Sequence, residues 1–184
     1  MSRPERFDLG DGAELRRYTL DDADEIFAVV NVNRERLRRW LPWIDPMHTP
    51  EVERRWIAGV RAIEDGMEGY GLFVDGQLAG GVGMTIGPFN VFAEIGYWIG
   101  EEFEGRGLVT RACRTFIDYA FGEAGLHRVV IRAAPDNARS RAIPERLGFV
   151  QEGVAREEGI AAGGFHDLVV YSLLEQEWPG APAD

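Results

Sequence analysis

Two glycines flank an arginine at Gly105-Arg106-Gly107, just after an apolar run from Val91 to Gly100. Behind them Val109, Ala112, Cys113, Phe116, Ile117, Ala120 and Phe121 recur at three- and four-residue steps. That spacing predicts a helix with one apolar face, with Arg111, Arg114, Thr115 and Asp118 opposite. A helix start carries unpaired backbone N–H groups and a partial positive charge, so it favours anions, phosphates above all. Glycine lets the chain approach a bulky pyrophosphate without a Cβ in the way. Gly105, Arg106 and Gly107, followed by Thr110, therefore have the makings of a phosphate cradle. A strand-to-helix turn that uses glycine only for its backbone angles would read the same way. No Gly-Lys-Ser or Gly-Lys-Thr follows, and Thr110 stands where a dinucleotide G-x-G-x-x-G fingerprint needs its third glycine.

The elements that must hold this turn can be read on either side of it. Glu14 to Tyr18 reads as a short first strand, and Thr19 caps a helix beginning LDDADEIFAVV, with its acids in the first turn and Ile26, Phe27 and Val30 on a buried face. NRERLRRWLPW predicts a second helical stretch, and TPEVERRWIAGVRAIEDG a third, from Pro50 to near Gly66. Asp75-Gly76 marks a hairpin inside YGLFVDGQLAGGVGMTI, and VFAEIGYWIG is the next strand. After the central helix come a buried strand, RVVIRA, and a short helix in NARSRAIPERLGF closed by Gly148. VQEGVAREEG and GFHDLVVYSLL form a closing hairpin around Gly163-Gly164. The order is strand, helices, three strands, helix, strand, helix, two strands: an α/β domain on a mixed sheet.

Bulk properties narrow the function classes. At 184 residues the chain fits a single domain, 1–184, with a core from about 13 to 178. The formal charge of -11 disfavours nucleic acid and anionic membranes as partners, because binding them needs lysine and arginine to displace counterions. Cys113 is the single cysteine, so no internal disulfide or cysteine-built metal cluster forms, and its place on the apolar helix face makes it a core residue. No apolar run nears the roughly 18 residues of a membrane span, and MSRPERFDLGDG lacks the apolar centre of a signal peptide. A cytoplasmic protein is expected.

From Glu14 to Trp178 the segments NRERLRRWLPW, AEIGYWIGEEFEGRGLVTRA, DNARSRAIPERLGF and FHDLVVYSLL resemble, in order and spacing, the GNAT superfamily of N-acetyltransferases. The resemblance is to its ribosomal-protein N-terminal, Rim-type branch. It implies a GNAT-type (acyl-CoA N-acyltransferase) α/β fold, a mixed central sheet flanked by helices. Its two middle strands, here Phe92 to Ile99 and Val129 to Ala134, splay into a V that takes acetyl-CoA as co-substrate, with no metal. In the family's pyrophosphate motif the glycine matches Gly107, while Glu104 stands at the first position and Val109 at the last. The coenzyme set implied is Trp98, Ile99, Gly105, Arg106, Gly107, Val109, Thr110, Arg111, Asn137 and Ser140. Arg106 and Arg111 would offset the charge of Glu104. Asn137 and Ser140 match Asn-x-x-Ser, where the asparagine meets the pantetheine arm and the serine lies near the sulfur; helix capping is the other reading of Asn137. Pro144 occupies the position where many members carry a tyrosine acid, so protonation of the leaving thiolate falls to Ser140 or water.

For the base, strand alternation puts Glu94, Gly96 and Trp98 on one face, and Glu94 matches a glutamate of the family's AEIGY segment. Its alternative is an ion-paired strand glutamate. Glu157 and Glu158 are lesser candidates, since the branch's glutamate falls in register with Gly159, and His166 reads as a hydrogen-bonded structural residue. Trp40 and Trp43 either line the acceptor mouth or pack between helices. The neighbouring arginines, Arg34, Arg36, Arg38 and Arg39, form a solvated face or meet an acidic protein or a coenzyme phosphate.

An α-amine titrates near about 8 and a lysine near about 10.4, so an N-terminal amine can manage with a weak or water-relayed base. The expected reaction is therefore acetyl transfer to a protein N-terminus. Small-molecule or antibiotic amines, and a coenzyme-binding module without turnover, are the alternatives. A homodimer is common in the branch.

Overall fold

Asp75 (φ 50°) and Gly76 (φ 80°) both occupy the left-handed region, which closes a two-residue hairpin between Val74 and Gln77. The computed structural model describes residues 4–62, 67–87 and 91–180. The strands are β1 Arg6–Gly10, β2 Ala13–Arg17, β3 Met67–Val74, β4 Gln77–Ile86, β5 Phe92–Ile99, β6 Arg128–Ala133, β7 Val150–Ala161 and β8 Gly164–Leu174. They form one sheet in the order β1-β2-β3-β4-β5-β6-β8-β7. Helices α1 Ala23–Val32, α2 Arg34–Leu37, α3 Pro50–Ala62, α4 Leu108–Phe121 and α5 Ala138–Arg146 flank it. The fold is the mixed α/β sheet with flanking helices that the sequence predicts.

Three local features differ from expectation. A strand, β1, precedes the one read as first, and Gly10 (φ 75°), Asp11 (φ 52°) and Gly12 (φ 71°) turn it onto β2. Only Phe7 and Leu9 are apolar in β1, and it lies at the sheet edge, so the alternating signal is short. The second helix is a single turn, Arg34–Leu37. Pro42 ends it by holding Leu41 extended (φ -118°, ψ 112°). The first helix opens as a 3-10 turn, Leu20–Asp22, where the N–H and hydroxyl of Thr19 both donate to Asp22 Oδ2 at 2.6 and 2.9 Å. The end of α3 near Gly66 lies outside the described residues.

The core lies on both faces of the sheet. Cys113, Phe116, Ile117 and Ala120 of α4 pack with Tyr70, Leu72, Val82, Met84, Ala93 and Ile95 on one side. Ile26 and Val30 of α1 and Ile57 of α3 pack with Tyr18, Phe73 and Leu78 on the other. Each large apolar side chain so buried contributes about 1.5–3 kcal/mol. Cys113 is fully buried and its thiol is pushed well above the ordinary range by that burial, which is the opposite of what a nucleophile needs.

Glu53 on α3 is 4 % exposed and lies beside Tyr18, and burial pushes its carboxyl up to about 7. The unfolded chain releases that proton near the ordinary 4.5, so from there to about pH 7 the folded state holds more protons and stability falls as pH rises. Glu53→Gln is expected to remove this slope and to be about 2–3 kcal/mol more stable than the parent at pH 8, read by urea unfolding at pH 5 and 8.

Among the described residues β5 and β6 form the one parallel pair of the sheet, and they position the site. They pair only at Phe92↔Arg128, Ala93↔Val129 and Glu94↔Val130. Beyond Glu94, β5 stays on β4 as far as Gly80↔Ile99, while β6 stays on β8 as far as Ala133↔Val169. The two strands therefore part, and a V opens in the middle of the sheet.

Candidate functional site

The V opens into a cleft of about 1030 Å³. Its lining joins Ile95 to Ile99 of β5, the turn before α4, Arg132 to Ala134, the first residues of α5, Leu37, Trp40 and Leu41 beside α2, and His166 and Leu168 of β8. At the mouth, Gly105 (φ 76°) and Gly107 (φ 71°) take left-handed angles, and Gly107 is the N-cap of α4. The helix has no side-chain cap and no acid in its first turn, so its first N–H groups face the cleft entrance unsatisfied by side chains. A Cβ built on either glycine meets nothing within 4 Å, which leaves room for a phosphate against the backbone. Val109, Thr110 and Arg111 also line this end.

Glu104 does not present its charge to the turn. Arg36 Nη1 donates to its Oε1 at 2.7 Å and Arg139 Nη1 to its Oε2, so one carboxylate joins α2, the turn and α5. Arg36 Nη2 also reaches Ile99 O and, at 3.0 Å, Asn33 Oδ1. Compensation thus comes from Arg36 and Arg139, where Arg106 and Arg111 were expected. Arg106 stacks on Phe103, 5.1 Å from the ring centre, and is not part of the lining. Arg111 donates to Leu9 O at 3.1 Å and to Asp11 at 2.9 Å, pinning the first hairpin to α4.

On the far side of the cleft Asn137 caps α5, its Oδ1 accepting from Ser140 N at 3.2 Å. Ser140 Oγ lies 3.1 Å from the hydroxyl of Tyr97, which in turn donates to Ser140 O at 3.0 Å. Burial first, with Cys113 and Tyr171 adding to it, pushes the Tyr97 phenol well above its ordinary range, so it stays protonated. Sequence reading passed over Tyr97, because its partner stands on an element that only the fold brings near.

The other end of the V is polar. Arg132 Nη1 donates to Glu94 Oε2, and Arg132 Nε lies 3.3 Å from Glu158 Oε2. Glu94 is half-buried just outside the lining, and burial raises its carboxyl; Arg132 opposes that and Glu158 adds to it. β7 loses register between Ala155 and Gly159, and Glu157 takes φ 53° there, its N–H donating to Asp167 Oδ1 at 2.9 Å. This bulge turns Glu158 towards Arg132. At Gly159 itself a Cβ would lie 2.5 Å from His166 Nε2, so the imidazole rests directly against this glycine. Trp40 lines the cleft, whereas Trp43 packs outside it with its ring 6.0 Å from Trp98. The expected acceptor-mouth role of Trp43 gives way to a place between helix and sheet, because Pro42–Ile44 forms a 3-10 turn that carries it onto the α1 side of the core.

Among the described residues no cluster of histidine, cysteine and carboxylate side chains suits a metal, and no helix is long and apolar enough to cross a membrane. A model of the acetyltransferase (GNAT) domain matches residues 13–150. YdaF of Bacillus subtilis (strain 168) is 43 % identical over 175 residues, 90 % of this chain and 93 % of that protein. The ribosomal-protein-serine acetyltransferase of Escherichia coli (strain K12) is 25 % identical over 175 residues, covering 92 % of this chain and 97 % of its own. A solved structure of RimL, the ribosomal L7/L12 alpha-N-protein acetyltransferase, in complex with coenzyme A superposes with a TM-score of 0.87 at 25 % identity, over 92 % of this chain and 98 % of that one.

Proposed function

We propose, from the premise that this chain belongs to the GNAT acetyltransferase family, that its acceptor is a protein N-terminal α-amine of the ribosomal type. The chain is an acetyl-CoA-dependent N-acetyltransferase. Acetyl-CoA supplies an activated thioester carbonyl. The observation that carries the reading is the V: β5 and β6 part after Glu94↔Val130, with an uncapped helix start at one mouth and a carboxylate–arginine cluster at the other. The backbone at Gly105, Gly107, Val109 and Thr110 would hold the pyrophosphate, and Asn137 and Ser140 would flank the pantetheine arm. A backbone N–H near Trp98 or Ile99 would face the carbonyl oxygen as charge develops on it.

At the other mouth a carboxylate raised above its ordinary range suits a base acting near neutral pH. Glu94 takes a proton from the attacking nitrogen through water, and Arg132 fixes its orientation. An α-amine is already partly neutral near pH 8, so this weak arrangement is sufficient, whereas a lysine at about 10.4 would need more. The names of the serine-specific relative and of RimL support the same acceptor class. A cytoplasmic site of action follows from a ribosomal acceptor and belongs to the same proposal, as does a homodimer, for which the edge strand β7 offers exposed Val150 and Val154.

The test is thiol release from acetyl-CoA with ribosomal-protein N-terminal peptides, polyamines and aminoglycosides side by side. Release with the peptides alone supports the proposal; release with polyamines or aminoglycosides alone overturns the acceptor assignment. Glu94→Gln is expected to lower kcat about tenfold and to flatten the acid limb of its pH profile, since the carboxylate must lose its proton to act. An unchanged profile would remove Glu94 from the role.

A further inference from the structure

Pro144 lies inside α5, four residues after Ser140. Proline has no N–H, so the carbonyl of Ser140 is left without the donor that an α-helix would give it. The Tyr97 hydroxyl fills that gap, donating to Ser140 O at 3.0 Å. The bond holds the phenol 3.1 Å from Ser140 Oγ, and both side chains line the cleft. We infer that Tyr97 is the positioning residue for Ser140 in thiolate protonation, held in place by the carbonyl that Pro144 leaves open. The inference rests on the acetyl-transfer reading of the same cleft.

The phenol's one proton has two acceptors on the same residue, the carbonyl oxygen and Oγ, at nearly equal range. With the proton on the carbonyl, Ser140 donates its own hydroxyl hydrogen to Tyr97. With the proton turned to Oγ, the serine hydrogen is free to point into the cleft. Only the second arrangement gives the departing sulfur a donor. The step balances without another reactant. The amine nitrogen bonds to the carbonyl carbon, the carbon–sulfur bond breaks with its electron pair going to sulfur, and the Ser140 hydroxyl proton passes to sulfur. The proton shed by the nitrogen passes through water to Glu94 and from there through cleft water to Oγ, which restores both groups. Tyr97 itself stays protonated throughout, as its burial requires. Its place on β5, two positions from Ile99, sets the phenol on the same strand as the segment that would face the thioester oxygen.

The experiment compares Tyr97→Phe, Ser140→Ala, the double variant and Pro144→Ala with the parent, measuring kcat and KM for acetyl-CoA with one active peptide, and melting temperature with and without coenzyme A. Tyr97→Phe and Ser140→Ala should each lower kcat about tenfold with KM within about twofold, and the double variant should lose no more than the worse single one. Pro144→Ala, which returns an N–H to the Ser140 carbonyl and so frees the phenol proton for Oγ, should raise kcat about twofold in the Tyr97 background and leave Tyr97→Phe unaffected. An unchanged kcat in Tyr97→Phe, or losses that multiply in the double variant, would overturn the inference while leaving acetyl transfer standing. A parent enzyme silent with every acceptor would overturn the transfer reading and this inference with it.

Discussion

Replacing Gly107 by valine is expected to raise the KM for acetyl-CoA about a hundredfold, with the protein still folded. Gly107 sits at φ 71°, ψ 4°, where a β-branched residue is strained by about 1–2 kcal/mol. The structure around it offers no relief, because the strain is in the backbone and not in a contact: a Cβ there meets nothing within 4 Å. That open space faces the start of α4, so the valine methyls would stand where a phosphate must approach the N–H groups. Losing one or two charge-assisted hydrogen bonds of about 1.5–3 kcal/mol each accounts for the factor. Gly107→Ala shares the strain without the bulk and should raise KM by about tenfold. Steady-state kinetics with acetyl-CoA as the varied substrate checks both. An unchanged KM in Gly107→Val would mean that the turn is merely a strand-to-helix connection.

The glycine turn was legible because its signal is local: left-handed angles and an apolar helix stripe are both written in adjacent residues. The two strands of the V match the stretches read from the sequence to within a residue, while their parting was implied by the family resemblance alone. What the sequence hid depends on long-range pairing. Glu104 looked like a misplaced anion because Arg36 and Arg139, 68 and 35 residues away along the chain, could not be seen to hold it. Tyr97 was invisible for the same reason, being 43 residues from Ser140. One clue was available, since a proline four residues after a serine in a predicted helix leaves that serine's carbonyl open. The pairing of Glu158 with Arg132 was hidden because a bulge in β7 undoes register counting.

The helical lobe shows the same division. Amphipathic spacing found α1 and α3, yet could not tell Trp40, in the cleft lining, from Trp43, packed against Trp98, because both lie in one short arginine-rich segment. Pro42 between them opens a 3-10 turn, and that turn separates the ring in the cleft lining from the ring packed in the core.

Gly80→Ala is expected to destabilise the fold by about 3 kcal/mol or more and to lower the melting temperature by about 10 °C. Gly80 pairs with Ile99, and an added Cβ would land against the carbonyl oxygen of Trp98 and 2.8 Å from Ile99 Cα. Those are backbone atoms of β5, so no side chain can turn aside to make room. The tip of β4 is tied in place as well, since Tyr18 donates to Gly80 O at 3.3 Å and Gly100 N to Ala79 O at 2.7 Å. Either the sheet loses these bonds, or β5 shifts at Trp98 and Ile99, the segment that would face the thioester oxygen. Both consequences are measurable, by thermal unfolding and by kcat in the fraction that folds. Gly96→Ala is the control for stability: it is on the partner strand β5, but its Cβ meets nothing within 4 Å, so its melting temperature should stay within about 2 °C of the parent. Equal melting temperatures for Gly80→Ala and the parent would show that β4 and β5 can separate at this point without cost, and that the arm of the V carrying Trp98 and Ile99 is not rigidly backed by β4.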